Sequence, residues 1–258
     1  MRLLKELWEY REMIISLVKR DLKSRYKGSV LGFFWMFLNP LLQLCVYTVV
    51  FSIIMRMNID KFYLFLFVAL VPWIFFSSCL SSGTGVIFSQ QDMVKKIYFP
   101  REVLPLSFTI SQFVNMLLCF VVIFVVVFFS GIRISPAALL CLPVVMIIEF
   151  ILCLGITNLV SALNVYFRDL EYIMGIVSMA WMYMTPVMYP VDMVPEQFRK
   201  LFYLNPMTTI VTAYRDILYY GRVPEMKTLL NAVIMGVLVL VIGQLTFSKL
   251  QKHFVEEL

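Results

Sequence analysis

Leu106–Phe129 reads LSFTISQFVNMLLCFVVIFVVVFF, a run without a single charge. An α-helix of about 20 mostly apolar residues crosses the roughly 30 Å hydrocarbon core of a bilayer. In lipid, only helices and closed barrels satisfy every backbone N–H and C=O. Just before this run lies Lys95-Lys96-Ile97-Tyr98-Phe99-Pro100-Arg101-Glu102, and before that a second apolar run, Phe62–Leu80. A charged strip between two spans sits in water on one face of the membrane. This strip carries more aromatic and apolar groups than an idle loop needs, so it is read as a contact surface.

The same pattern fills the chain. Of its 258 residues 61% are hydrophobic and 15% charged, against about 45–50% and 25% in soluble domains. Six segments qualify as spans: 33–55, 62–80, 106–129, 137–163, 173–189 (the shortest) and 228–248. The fold class expected is an all-α membrane protein of six transmembrane helices. Residues 1–32 form an N-terminal interfacial segment, 33–248 the spanning domain and 249–258 a tail. No cleavable signal peptide is expected, because the first long apolar run follows a long charged segment with no small-residue cleavage site.

Six crossings put both termini on one side. Lys and Arg then divide 14 to 8 in favour of that side, which makes it cytoplasmic by the positive-inside rule. The net charge of +6 therefore reports orientation, and no nucleic-acid motif accompanies it. Residues 1–22 place Leu3, Leu4, Leu7, Trp8, Ile14, Ile15, Val18 and Leu22 at helical spacing. Such a helix lies on the inner membrane surface or packs on protein. Between spans five and six, the proline- and aromatic-rich loop holds two short segments, 195–204 and 207–219. These are read as re-entrant helices (within 190–220) capping the outer side, since about 10–14 apolar residues are too few to span.

Several chemistries are excluded. Gly221-Arg-Val-Pro-Glu-Met-Lys227-Thr228 has the length of a phosphate-binding loop, but Met226 replaces the second glycine. The five cysteines lie in apolar runs without C-x-x-C spacing, and His253 is the one histidine, so no metal site is expected. Glu149 is the one carboxylate deep in a span. It is either a proton site of a secondary carrier or a hydrogen-bonded carboxyl at a helix contact, and the absence of a charged relay in the other spans favours the second. Trp35, Trp73, Phe76, Trp181, Tyr183, Tyr189 and Tyr203 form either an interfacial belt or a stacking surface for sugar rings.

Four colinear motifs carry a resemblance. They are Arg20-Asp-Leu-Lys23-Ser-Arg25-Tyr-Lys27-Gly-Ser-Val-Leu-Gly32 with Trp35 and Asn39-Pro40; Val94–Pro105; Leu163-Asn-Val-Tyr-Phe-Arg168-Asp169-Leu170; and Thr185-Pro-Val-Met-Tyr189 running to Tyr203-Leu-Asn-Pro-Met207. Together they resemble the type-2 ABC transporter permeases that export cell-surface polysaccharides, the O-antigen (Wzm-type) and teichoic acid permeases. The resemblance implies a homodimer in the bacterial inner membrane with two copies of a separate ATPase, which binds the ATP and Mg. It implies a lipid-linked glycan as substrate and no enzymatic chemistry on this chain. Residues 90–104 become the coupling helix, with Ile97, Tyr98 and Phe99 in a groove of the ATPase and Lys95, Lys96, Arg101 and Glu102 on its rim, around Pro100. Arg168 and Asp169 become a second ATPase contact or a local ion pair. Arg20, Lys23, Arg25 and Lys27 hold anionic lipid or guide the carrier diphosphate. Within the class, capsule, rhamnan, drug or small-lipid export are the alternatives; outside it, a proton-coupled carrier or membrane enzyme using Glu149.

Overall fold

The structure is a computed structural model that describes residues 2–24 and 28–258. The described elements are helical throughout. Helices α1 (Arg2–Glu9) and α2 (Arg11–Ser24) form the N-terminal segment. The spanning region holds α3 (Trp35–Thr48, continued by a wider π-helical turn over Val49–Ile54), α4 (Phe62–Ser81), a short α5 (Gln91–Lys96), α6 (Val103–Ser130) and α7 (Pro136–Tyr166). It continues with α8 (Leu170–Tyr183), α9 (Glu196–Tyr203), α10 (Pro206–Leu218), α11 (Met226–Leu250) and a terminal α12 (Phe254–Glu257).

Five helical segments are long and apolar enough to cross a membrane: Trp35–Ile54, Phe62–Ser81, Val103–Ser130, Pro136–Tyr166 and Met226–Glu257. The segment expected as the fifth of six spans is instead a helix of 14 residues. At about 1.5 Å per residue it covers about 21 Å. It ends before Pro186, where the missing N–H and the restricted residue ahead of proline oppose further helix. The two short helices expected after it are present as α9 and α10.

Helix α4 is the axis of the molecule. It is apolar on every side, and Leu64, Leu66, Val68, Ala69 and Leu70 are completely buried, because α3, α6, α7, α8 and α10 all pack around it. A helix hydrophobic all round belongs in an interior. Proline inside these helices releases a carbonyl one turn back, and the fold answers it: Pro40 frees the Met36 carbonyl, and the Cys119 thiol of α6 approaches it at 3.6 Å.

Glycines set the tightest contact. Gly155 of α7 meets Gly243 of α11, so the two backbones touch where side chains would hold them apart. Small residues allow this approach between membrane helices, where packing rather than hydrophobic exclusion drives association. A Cβ on Gly155 would lie 2.6 Å from the Leu240 backbone. Gly155→Val or Gly243→Val is expected to cost at least the roughly 1–3 kcal/mol of overpacking. Thermal unfolding in detergent, followed by size-exclusion monodispersity, checks this; Gly175→Ala, which meets nothing within 4 Å, is expected to behave as the parent.

Candidate functional site

A second, smaller core lies at the end of the bundle where α6 begins and α7 and α11 finish. Leu17, Val86, Ile87, Val94, Phe99, Val103, Leu104, Ala162, Val165, Phe247 and Phe254 meet there. The N-terminal segment docks on it through Leu7, Tyr10, Met13 and Ile14, and Asp21 accepts a hydrogen bond from Ser111 of α6. Of the apolar helical face expected on the membrane or on protein, Leu7 and Ile14 thus pack on this chain's own core, while Ile15 is exposed. Trp8 remains exposed, with the Arg11 guanidinium 5.4 Å from its ring.

The charged strip is built on this core. Helix α5 stops at Lys96, where Ile97 turns extended. Lys95, Lys96, Ile97 and Tyr98 face outward, and Tyr98 is 96% exposed. Phe99 points the other way, at 6% exposure, into the core with Val94, Val103 and Phe254. Phe99 is therefore an internal anchor, not the exposed one expected. Glu102 is buried and accepts from Gln251 Nε2 at 2.8 Å, and Arg101 donates to the Gln251 carbonyl. Both are committed to the end of α11 rather than standing on a rim. Pro100, just before them, is half-buried, and Lys96 pairs with Asp92 at 3.4 Å in solvent. Beside Tyr98 runs an open groove walled by Glu6, Glu9 and Tyr10 of the N-terminal segment.

Near the same end, Arg168 is exposed with its guanidinium 5.1 Å from the Phe88 ring, and Asp169 precedes α8 without a side-chain cap. Arg20 and Lys23 are exposed on the last turns of α2; Arg25 and Lys27 lie outside the described residues.

At the opposite end, polar side chains tie α10 into the bundle. Arg215 is 4% exposed, yet its guanidinium donates to the carbonyls of Phe65, Pro186, Val187 and Tyr189 and lies 3.5 Å over the Phe65 ring. Asn205 caps α10 by accepting from Met207 N, accepts from Trp181 Nε1 at 3.0 Å, and donates to Thr185 Oγ1 at 2.8 Å. Asp216 pairs with Arg222 at 2.6 Å; burial pushes its carboxyl up while the Arg222 hydrogen bond lowers it. Glu149, completely buried, accepts from Tyr214 at 2.7 Å. It is thus a hydrogen-bonded carboxyl at the α7–α10 contact.

The aromatics divide. Trp73 and Phe76 are buried against each other, and Trp181 stands edge-on to Phe76 at 5.3 Å. Trp73 and Phe76 therefore serve packing and present no stacking surface. Tyr183 and Tyr203 are exposed and Tyr189 half-buried, its hydroxyl on the Tyr183 carbonyl. Trp35 lines a cavity of about 230 Å³ between α3, α4 and α6, together with Asn39, Gln43, Ser78, Gln112 and Asn115. Burying an amide without a partner in an apolar medium costs roughly 2–7 kcal/mol, and of these four amides and one hydroxyl the buried Asn115 Oδ1 has no hydrogen-bond partner. Among the described residues no group of three metal-ligating side chains gathers.

The family profile of the ABC-2 type transporter matches residues 12–219. The chain belongs to the ABC-2 type transporter family. Its similarity to an O-antigen export system permease protein RfbA of Myxococcus xanthus is 36% identity over 259 residues, covering 100% of this chain and 99% of that one. An RfbA permease of Klebsiella pneumoniae is 33% identical, with 95% of this chain and 94% of the other covered. The polysialic acid transport protein KpsM of Escherichia coli is 23% identical over 216 residues.

Arg215→Ala is expected to leave several buried carbonyls without a donor, each worth about 1–3 kcal/mol. The expected result is loss of monodisperse protein at temperatures the parent survives, with Arg215→Lys intermediate because an ammonium lacks the planar fork.

Proposed function

We propose that this chain is half of the membrane channel of an ATP-driven exporter, and that it carries a lipid-linked cell-surface polysaccharide such as O-antigen out through the bacterial inner membrane. The observation that carries this reading is the full-length similarity to the O-antigen export permease. In this reading two copies form the channel, each docking one separate ATPase, and the glycan rides on an undecaprenyl diphosphate.

Six crossings fit the chain best, the fifth being α8 with the turn that follows it. Arg168, just before α8, touches Phe88 near the strip. Tyr189, after that turn, accepts from Arg215, which also holds Phe65 near the opposite end of α4. The chain therefore travels from one end of the bundle to the other between these residues. The strip then faces the cytoplasm with both termini, and α9 and α10 form a re-entrant cap on the outer side.

The ATPase docks on Lys95, Lys96, Ile97 and Tyr98 in this reading. Apolar anchors supply most of the affinity at such contacts and surrounding charges supply rate and specificity. Phe99 passes the movement inward: it sits in the core shared by α2, α6, α7 and α11, so a push on Tyr98 moves the inner ends of these helices together. Tyr98→Ala is expected to reduce co-purification of the ATPase about tenfold with the permease still folded and inserted. Phe99→Ala is expected instead to lower thermal stability by about 3–5 kcal/mol, as for a buried aromatic. Undiminished ATPase capture by Tyr98→Ala counts against the strip. Glu149→Gln keeps an acceptor for Tyr214 and is expected to sustain surface-glycan display; its abolition points to proton coupling. Deleting the gene is expected to strand glycan on its lipid carrier inside the cell.

A further inference from the structure

The amide-lined cavity between α3, α4 and α6 has no part in the contacts described so far. Asn39 and Gln43 stand one turn apart on α3 and both are exposed on a helix of the spanning region. Gln112 is 5% exposed on the facing side of α6, and Asn115 follows it after three residues. The Asn115 side-chain oxygen is buried without a hydrogen-bond partner, and its residue lines the cavity.

The lining selects its ligand. It contains no charged residue, so a phosphate or carboxylate finds no counter-charge. Primary amides offer a carbonyl acceptor and two N–H donors side by side, the complement of neighbouring hydroxyls that each both donate and accept. Trp35 adds a flat apolar wall with a polar edge. About 230 Å³ is smaller than the roughly 300–1,000 Å³ of pockets for drug-sized ligands. At about 30 Å³ per water it is the space of seven or eight waters, suited to one ring and not to an oligosaccharide.

A second pocket lies beside it along α6. One turn and a half back, about 8 Å at 1.5 Å per residue, Ser107 shares a smaller pocket with Arg20 and Asp21 of α2. Between the two, the buried Ser111 bonds Asp21. Arg20 at the end of the bundle and the neutral amides inside it thus lie along one stretch of α6.

We propose that this cavity holds one neutral, hydroxyl-rich sugar ring of the lipid-linked glycan, the ring nearest the carrier phosphate, with that phosphate toward Arg20. The assignment rests on the exporter reading and adds the place where the sugar is received. The test uses whole cells that make the glycan with labelled sugar and express the full-length permease with its ATPase. Asn39→p-benzoylphenylalanine is irradiated beside the same probe at Val46, exposed elsewhere on α3. A sugar-labelled adduct at 39 and none at 46 supports the site. An adduct carrying only phospholipid, an adduct joining two permeases alone, or no adduct while surface glycan is normal each overturns it. In parallel, Gln43→Leu and Asn115→Leu are expected to cut surface glycan about tenfold, while Leu42→Ala, exposed on α3 and outside the cavity lining, leaves it unchanged. Because Gln43 is exposed, its variant keeps the test valid if the Asn115 variant does not fold; normal glycan in Gln43→Leu overturns the site. Normal surface glycan in cells lacking the permease altogether would instead overturn the exporter reading itself.

Discussion

Hydrocarbon supplies no hydrogen bonds, and that constraint organises this protein. Every buried donor or acceptor has to be answered by the chain, by a partner or by a ligand. Arg215 shows the strictest case: a guanidinium at 4% exposure, held by main-chain carbonyls from two separate segments. It binds α10 to the start of α4 and to the turn after α8, so the irregular backbone at 184–190 is tolerated because it is buried in protein and bonded to it. Asn205 repeats the device one helix end away, joining α8 to α10 through Trp181 and Thr185.

The two ends of the bundle are built differently. The end that carries α10 is locked by directional polar contacts. The opposite end is a hydrophobic junction in which α2, α6, α7, α11 and the strip share one core. Shape complementarity there passes displacement without specifying it, while Arg101 and Glu102 keep the strip fastened to Gln251. The amide cavity lies between these two ends, against α6.

Much of this was legible in residue order. The apolar runs identified the long helices, and the proline- and aromatic-rich loop identified α9 and α10 almost to their ends. The strip was visible because charge interrupts two spans. What the pattern hid was direction. Phe99 and Tyr98 are equally aromatic, and only the extended turn at Ile97 decides that one enters the core. Trp73 and Phe76 read as a belt until α4 proved to be the central helix. Arg215 carries no sequence signal of its role, because the carbonyls it holds belong to Phe65 and to 186–189, far from it in the chain. The cavity amides are scattered over three helices, so no linear motif contains them.

By itself the sequence determined that this is a helical membrane protein with a charged, aromatic strip between two apolar runs, because apolar run length and charge placement are local properties. The tertiary structure decided which residues face out. It turned α1 and α2 onto the protein, Phe99 and Glu102 inward, and Arg215 onto main-chain carbonyls, and it assembled neutral amides into one chamber. Those outcomes depend on which helices become neighbours, and neighbours are set by packing around α4 and by the glycine contact of α7 with α11.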